Sequence, residues 1–507
     1  MLFHSLTFIG GFLPVAYAGY WLLGKNGYIR SAFGWLLLCS MIFYGWNDPS
    51  AILIAALSVC GNFAISRFIA HGHGRNFLIA GVVFNVALLG VLKYSTFVLQ
   101  TLHPILSVDD RIAHIIAPVG ISFYTFQQIA YLIDLSRGKA ESLPFFRYLL
   151  FTLFFPQITS GPIVRYSDTA GQFSGHLFRS DLPRLTAVGL TVFIIGFCKK
   201  TVGADSIALY ADAVFAAAQQ GETPDFLRAW GGVLSYTFQL YFDFSGYIDM
   251  VLGAALLFGI RLPQNFNAPY KSASIIEFWR RWNITLSTFI RDQLYIPLGG
   301  NRKGKFRQYL NLFLAMMIAG LWHGAAWTFV FWGGLHGFYL LLNHGWRHLR
   351  TRFAIGSFGV AGKFFSWMLT FLAITVSLVF FRAQSFGAAL RILRGMFSPG
   401  TAMPMHYMQQ VEWWFSNAAG IRFPEWTYGA LWLAILACIA FFGPTTSQIM
   451  ALEEIVLTPP DPQPPRSIIS IHGRPTILFA LMTAFIAVFS VVFLLLYQPR
   501  DFLYFQF

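Results

Sequence analysis

Residues 308–345 of this 507-residue chain read QYLNLFLAMMIAGLWHGAAWTFVFWGGLHGFYLLLNHG. The run is almost continuously apolar, which is typical of segments that lie in a membrane. His323 stands near its middle, in the tetrapeptide Leu-Trp-His-Gly, and His336 follows deeper in the second half. An ionisable side chain within membrane-spanning sequence is costly and usually functional. His323 is therefore the first candidate for a functional residue.

Basic residues flank this run on both sides and predict a helical hairpin. They are Lys303, Lys305 and Arg307 before it and Arg347, Arg350 and Arg352 after it. Basic flanks mark the cytoplasmic side, so the chain enters the membrane and returns, with its turn near 321–324. Sixteen residues separate Arg307 from His323. They correspond to about 24 Å of helix, which places the histidine deep in a hydrocarbon core of about 30 Å. Gly320 and Gly324 allow close approach of another backbone or a ligand.

The composition is that of a polytopic membrane protein. Hydrophobic residues make up 56% and charged residues 11% of the chain, against about 25% charged residues in soluble domains. Apolar segments recur along the whole chain without strand-like alternation. We therefore expect an all-α, polytopic membrane helical bundle of about ten to twelve crossings, plus re-entrant or half-helices, around a central cavity. The net charge of +14 lies mostly in loops, where it sets topology, and does not indicate a nucleic-acid partner.

Two proline-containing breaks interrupt the apolar pattern. Segment 154–162 puts two prolines and a glycine at membrane depth, and because lipid does not tolerate irregular backbone, the segment is expected to line a cavity. The second break, PPDPQPP at 459–465, is an extended linker. We expect a transmembrane domain, a proline-rich linker and an appended transmembrane helix with an aromatic tail that docks on the protein. Their predicted bounds are 1–458, 459–474 and 475–507.

A basic amphipathic segment at 274–291 is predicted to form one helix in the membrane interface. Ser274 and Glu277 fit a capping box, and Glu277 can pair with Arg281 one turn later. From 261 to 307 the chain carries nine basic residues against two acidic ones. This excess predicts contact with anionic membrane lipid and, as a functional alternative, with the phosphates of a coenzyme A thioester or with an acidic carrier protein. The residues predicted to bind such a donor are Arg280, Arg281, Arg302, Lys303 and Lys305.

His323 has two candidate roles, a hydrogen-bonded core histidine or a general base whose pKa lies near working pH. His336 lies thirteen residues later, about 20 Å away on one straight helix, so only a turn brings the two rings together. The apolar run has no cysteine or carboxylate to complete a metal site, and no bound metal is expected. Asp243 and Asp249 face differently on a helix, and structural hydrogen-bonding roles are expected for both.

Several stretches resemble the membrane-bound O-acyltransferase family. The longest, within 235–337, contains SYTFQLYFDFSGYIDMVLGAALLFGI, PQNFNAPYKSASIIEFWRRWNITLSTFIRDQLYIPLGGNRKG and GLWHGAAWTFVFWGGLHG, and PVGISFYTFQ, GPI and FFRA also fit. The resemblance covers most of 90–390 and is strongest to the branch that contains the alginate O-acetyltransferase membrane subunit and the D-alanyl transfer protein of teichoic acids. Many members have histidine where this chain has Asn283, so residue 283 cannot carry a proton here.

The resemblance implies that His323, the histidine of Trp-His-Gly, is catalytic, and that a cavity carries acyl groups from a cytoplasmic thioester to an acceptor on the other side. Acyl transfer to a hydroxyl needs a base for its proton and donors for the developing oxyanion. His323 can be the base, with His336 in a supporting role. Trp322, Gln239, Asn283 or backbone N–H groups could supply donors, and the sequence does not choose among them.

The expected protein is a multi-pass O-acetyltransferase of the bacterial inner membrane. Its donor is acetyl-CoA or another acyl thioester, and no cofactor is expected to stay bound. The expected partners are a periplasmic acetyltransferase or esterase-like protein, an exported polysaccharide of the alginate type, and membrane lipid. Alternatives with the same fold transfer D-alanine or acetylate peptidoglycan. A proton-coupled transporter would show internal repeats and several intramembrane carboxylates, and a catalytically silent scaffold of a secretion complex is a further alternative.

The C-terminus suggests a second catalytic residue. The helix at 475–497 resembles the one-helix partner that accompanies the D-alanyl transfer protein, here fused to the main chain, and that partner also ends in an aromatic motif with a tyrosine. The tail DFLYFQF at 501–507 has one hydroxyl, that of Tyr504. A phenol with a pKa near 10 needs a base to become a nucleophile, so Tyr504 is predicted to take the acyl group with the help of His323. The alternative is plain anchoring of the tail as part of an aromatic belt.

Overall fold

The computed structural model describes residues 1–72, 74–102, 117–169, 171–174, 182–356, 358–398, 425–452, 457, 473, 476–496 and 500–505. In these ranges the chain is helical, and only two isolated β-bridges occur. This confirms the all-α prediction. The helices are α1 (Leu13–Lys25), α2 (Ile29–Gly45), α3 (Ser50–Ala70), α4 (Gly74–Leu89), α5 (Ser95–Leu102), α6 (Ile121–Ser136), α7 (Phe145–Leu153), α8 (Phe155–Ile158), α9 (Tyr166–Thr169), α10 (Leu182–Cys198), α11 (Asp205–Gln219), α12 (Phe226–Leu257), α13 (Ile275–Arg281), α14 (Ile284–Ile290), α15 (Gly304–His323), α16 (Trp327–Arg352), α17 (Gly359–Arg382), α18 (Phe386–Phe397), α19 (Glu425–Phe442), α20 (Thr446–Met450) and α21 (Ile477–Leu496).

Seven segments of the described residues are long and apolar enough to span a membrane. They are Thr7–Lys25, Ser50–Ala70, Gly74–Leu102, Leu182–Gln219, Phe226–Leu257, Gly359–Arg382 and Ile477–Leu496. Two shorter apolar helices, α2 and the 428–442 part of α19, accompany them. The chain is therefore a polytopic membrane helical bundle. Among the described residues, the shorter helices and the α15–α16 pair are further candidates for crossings.

The residues group into two compact units. The first comprises Met1–Gly196, Tyr247–Gln264 and Met450–Pro460, and the second comprises Phe197–Gly246, Asn265–Ile449 and Asp461–Phe507. The predicted linker at 459–474 lies outside the described residues, apart from residue 473. The predicted appended helix is α21, which ends at Leu496.

In the first unit, protein covers the proline-containing segment 154–162. Every residue of this segment is buried. The ring of Phe155 packs against that of Phe3, and Thr159 Oγ1 lies 2.6 Å from the hydroxyl of Tyr247. Irregular backbone at membrane depth requires such cover, so the break is an internal packing element of this unit.

In the second unit, α15 and α16 form the predicted hairpin, and the chain reverses directly after His323. Two glycines bring the helices into contact. A Cβ atom on Gly320 would meet the carbonyl oxygen of Phe329, and one on Gly333 would meet that of Met316. Only glycine permits so close an approach of two backbones. The contact fixes the end of α15 against the first turns of α16.

The basic amphipathic segment is two helices, so the prediction of one helix over 274–291 was wrong. The N-terminal signals are confirmed, because Ser274 Oγ accepts from the Glu277 N–H at 3.2 Å and Glu277 pairs with Arg281 at 2.9 Å. Asn283 then adopts a left-handed conformation, with φ of 43°, between α13 and α14. Asparagine is one of the few residues other than glycine that adopt it readily. The side chain of Asn265 accepts from the first turn of α14 at 3.1 Å and stabilises the new helix start.

Candidate active site

His323 lies at the end of α15 inside a group of aromatic side chains. It is buried, with 3% of its surface exposed. The ring centroids of Trp322, Trp332 and Phe381 lie 4.8, 5.2 and 5.2 Å from that of the histidine. The ring of Tyr504 lies on the histidine as well, at 5.5 Å between centroids and an interplanar angle of 60°. The enclosure keeps bulk water from the imidazole, which strengthens any polar contact that the ring makes.

The aromatic tail docks, as its composition predicted. Phe502 and Leu503 are almost fully buried. Tyr504 lies in a short 3-10 turn, Leu503–Phe505, and its ring packs on Phe244 at 4.3 Å between centroids. Docking brings the two residues predicted to be catalytic into contact, although 181 positions separate them in the sequence.

His336 is held by hydrogen bonds on both ring nitrogens. Trp279 Nε1 donates to Nδ1 at 3.3 Å, and Nε2 lies 2.9 Å from Ser377 Oγ. Because Nδ1 accepts, the neutral ring carries its proton on Nε2 and donates it to Ser377. The Ser377 hydroxyl in turn donates to the carbonyl oxygen of Ile374 at 2.7 Å. With both nitrogens occupied, the arrangement fits the supporting role predicted for His336 and does not fit a base.

A small cavity opens beside Tyr504. Its volume is about 10 Å³, the size that holds about one water molecule. Leu240 and Leu378 are among its apolar lining residues, and Trp332 lines it together with Tyr504. Trp332 Nε1 is buried and has no acceptor within hydrogen-bond distance among the described residues. A buried donor in this state is rare, and the residue that carries it lines the cavity. Sequence reasoning missed Trp332, because nothing local distinguishes it among fifteen tryptophans.

The three side chains predicted as oxyanion donors lie in the second unit with His323. Trp322 precedes the histidine and contacts its ring. Gln239 and Asn283 are both buried, and each is next in sequence to a residue that lines the cavity, Leu240 and Trp282 respectively. In the described part of the chain no acceptor contacts Asn283 Nδ2. No group of three His, Cys, Asp or Glu side chains comes together as a metal site in those residues either.

The predicted donor-binding residues divide into exposed and buried ones. Four are exposed on the surface: Arg280, Arg302, Lys303 and Lys305. Arg281 is buried, and its charge is already paired with that of Glu277, so only the other four present an exposed positive charge. Nearby, burial and then the charge of Arg281 lower the pKa of Lys271, whose ammonium donates to the carbonyl oxygen of Gly443 at 2.7 Å.

Comparison with known proteins identifies the family. The model of MBOAT, the membrane-bound O-acyltransferase family, matches residues 38–382. A peptidoglycan O-acetyltransferase of Helicobacter pylori is 40% identical over 428 residues, which are 78% of this chain and 80% of the relative. The probable alginate O-acetylase AlgI of Pseudomonas aeruginosa is 39% identical over 453 residues, 87% of this chain and 81% of the relative. The teichoic acid D-alanyltransferase of Bacillus subtilis is 28% identical over 329 residues, 62% of this chain and 81% of the relative.

The matched region contains the whole α15–α16 hairpin, including His323, Trp332 and His336. The seven candidate spans make the chain a multi-pass membrane protein. It is an acyltransferase, and it belongs to the membrane-bound O-acyltransferase family.

Proposed function

We propose that this enzyme transfers acetyl groups from a cytoplasmic thioester, acetyl-CoA or a related donor, by way of Tyr504 to hydroxyl groups of an exported polysaccharide. The observation that carries the proposal is the buried contact between the rings of Tyr504 and His323. The two relatives named for O-acetylation match more of this chain than the Bacillus D-alanyltransferase does, which favours acetyl. A cytoplasmic donor and an exported acceptor together imply the bacterial inner membrane.

In the first proposed step, His323 takes the phenolic proton of Tyr504 while the phenolic oxygen attacks the thioester carbonyl carbon. The carbonyl oxygen becomes an oxyanion, for which Trp332 Nε1 is the proposed fixed donor. When this intermediate collapses, the carbon–sulfur bond breaks and the thiolate takes the proton from His323. The products are an acetyl ester on Tyr504 and a free thiol.

In the second proposed step, an acceptor hydroxyl attacks the carbonyl carbon of the ester, and the bond between that carbon and the phenolic oxygen of Tyr504 breaks. The proton of the hydroxyl passes to the phenolate, which restores the phenol of Tyr504. The hydroxyl belongs to the polysaccharide itself or to a periplasmic acetyltransferase or esterase-like partner that passes the group on. No metal or bound cofactor takes part in either step. The exposed basic residues Arg280, Arg302, Lys303 and Lys305 are proposed to hold the phosphates of the donor on the cytoplasmic side.

The residues around the cavity beside Tyr504 also favour acetyl over D-alanyl. The lining is mostly apolar, and none of the described residues in it carries a carboxylate. A D-alanyl ester brings an ammonium group, and burying an unpaired ammonium is costly. An acetyl ester brings only a methyl group and a carbonyl oxygen, and Trp332 Nε1 could donate to that oxygen.

The experiment compares membranes that contain the parent enzyme with membranes that contain His323→Ala. After incubation with acetyl-CoA, the C-terminal peptide is analysed by mass spectrometry, and acetyl esters are measured on the polymer. We expect acetyl-Tyr504 in the parent and none in a folded His323→Ala protein. Near-normal polymer acetylation in His323→Ala would refute the mechanism in which His323 is the base. If acetyl esters were found on peptidoglycan alone, the acceptor would be the cell wall and not an exported polysaccharide.

A further inference from the structure

Three buried charged side chains form a cluster close to the docked tail. Lys200 Nζ lies 2.6 Å from Asp205 Oδ1 and 2.7 Å from Asp243 Oδ1. The side chains of Lys200 and Asp243 are only 2% and 1% exposed. Buried ions persist only where they are paired and hydrogen-bonded. One cation faces two carboxylates here, so the cluster requires further donors for its remaining oxygen atoms.

The local backbone explains how Lys200 meets Asp205. Lys200 lies in a π-helical segment, Lys199–Ala204, which joins α10 to α11, and Asp205 is the first residue of α11. In a π-helix, residues five apart are brought together, so Lys200 and Asp205 share one face. Asp243 arrives from α12. π-Helical turns are frequent at functional sites.

The tail supplies a donor that the cluster requires. Asp243 Oδ2 accepts from the backbone N–H of Leu503 at 3.0 Å, while Oδ1 faces Lys200. Leu503 directly precedes Tyr504. The carboxylate of Asp243 therefore links Lys200 to Leu503, the residue before Tyr504. Without the tail, a buried carboxylate oxygen would lose this donor, which is an unfavourable state. Asp243 thus makes a hydrogen bond of the kind predicted for it.

A second ion pair holds the tail three residues earlier. Arg500 pairs with Asp212 of α11, and Arg382 of α17 lies 3.0 Å from the same carboxylate. All three side chains are partly exposed, so solvent screens this pair and it restrains the tail weakly. The buried contact at Leu503 is the one that can set the register of the tail.

We propose that Lys200, Asp205 and Asp243 form a tail clamp, whose function is to position Tyr504 against His323. The three are positioning residues and take no part in proton transfer or bond formation. Lys200 orients the Asp243 carboxylate, and the carboxylate fixes the Leu503 amide. The consequence for acetylation rests on the proposed role of Tyr504, whereas the clamp itself does not depend on it.

Proline at position 503 tests the clamp by removing its backbone donor, and it also shortens a buried side chain. Leu503→Pro removes the N–H that Asp243 binds and leaves the three charged residues in place. Leu503 is the first residue of its 3-10 turn, a position where proline is well tolerated in helices. The matched control is Leu503→Met, which keeps the N–H and nearly the same volume. Two quantities are measured on the purified full-length enzyme: hydrogen exchange of the C-terminal peptide and acetyl-Tyr504 after incubation with acetyl-CoA.

The clamp predicts that Leu503→Pro speeds exchange of the tail amides and lowers acetyl-Tyr504, each by about tenfold or more, because a hydrogen bond to a charged group is lost. Leu503→Met should stay near the parent in both. Parent-like exchange in Leu503→Pro, or faster exchange with unchanged acetyl-Tyr504, overturns the proposal. If Tyr504 is never acetylated in the parent, the relay fails, and exchange alone then decides the clamp. Lys200→Met would remove the cation of the clamp. It would leave the buried carboxylates of Asp205 and Asp243 without that charge, and the protein can then misfold. The proline variant is therefore the decisive one.

Discussion

Replacing His336 by phenylalanine should separate the roles of the two buried histidines. Phenylalanine keeps an aromatic ring in place but removes both hydrogen bonds. Trp279 Nε1 loses an acceptor at 3.3 Å, and Ser377 Oγ loses a donor at 2.9 Å but still donates to Ile374. A buried donor left unsatisfied costs about 1–3 kcal/mol, and a neutral hydrogen bond contributes about 1 kcal/mol. Since 3.3 Å is long for such a bond and Trp279 is only partly buried, its penalty lies at the low end of that range, and we expect a total loss of about 2 kcal/mol of stability.

Two measurements separate the effect on stability from the effect on catalysis. Stability is measured by thermal unfolding of the detergent-solubilised protein. Acetyl transfer is measured as acetyl-Tyr504 formation well below the unfolding temperature. His336→Phe should lower Tm by several degrees and reduce acetyl transfer less than about tenfold, because both ring nitrogens of His336 are engaged in hydrogen bonds and the proposed base is His323. The matched variant His323→Phe should stay folded and form no acetyl-Tyr504. If His336→Phe kept the parent Tm and abolished transfer, the assignment of a supporting role would be refuted.

Three further variants probe the oxyanion donor, the hairpin and the basic surface. Trp332→Phe removes the indole N–H and should slow acetyl transfer by about 10²–10³; a rate within a few-fold of the parent would eliminate Trp332 as the oxyanion donor. Gly333→Val must push α16 away from α15 and should destabilise by about 1–3 kcal/mol, and an unchanged Tm would contradict the close approach seen in the hairpin. Joint replacement of Arg302, Lys303 and Lys305 by glutamate should raise the KM for acetyl-CoA, and salt should raise the KM of the parent because exposed charges are screened over about 10 Å at 0.1 M. Cysteine labelling that placed residue 303 outside the cell would contradict the orientation.

The hairpin, its turn and the start of α13 could be predicted because their signals are local. Charged flanks and apolar length define a membrane hairpin, and Ser274 and Glu277 define a helix start within four residues. The end of α13 was missed, because the helical stripe continues through residues 282–290 in the sequence. The break depends on the left-handed backbone at Asn283 and on capping by Asn265, a residue that precedes the segment and gives no local sign of that role.

The composition of the site was predicted in part. The histidine of Trp-His-Gly, near the middle of an apolar run, marked His323, and one hydroxyl in an aromatic tail marked Tyr504. Trp332 could not be chosen, because its distinguishing property is an N–H without an acceptor, which exists only in the folded chain. The tail clamp could not be predicted from the sequence either. Lys200 and Asp243 are 43 positions apart, and a π-helical segment aligns Lys200 with Asp205 in a way that the usual helical spacing does not anticipate.

The most direct test of the relay through Tyr504 is polymer acetylation by Tyr504→Phe. This change keeps the ring that packs on Phe244 and His323 and removes only the oxygen that is proposed to carry the acetyl group. The tail should stay docked, which hydrogen exchange of the C-terminal peptide checks in the same preparation. The relay predicts no acetyl esters on the polymer while the enzyme remains folded and the tail protected. Nearly full acetylation by Tyr504→Phe would show that the tail only anchors, and would contradict the relay.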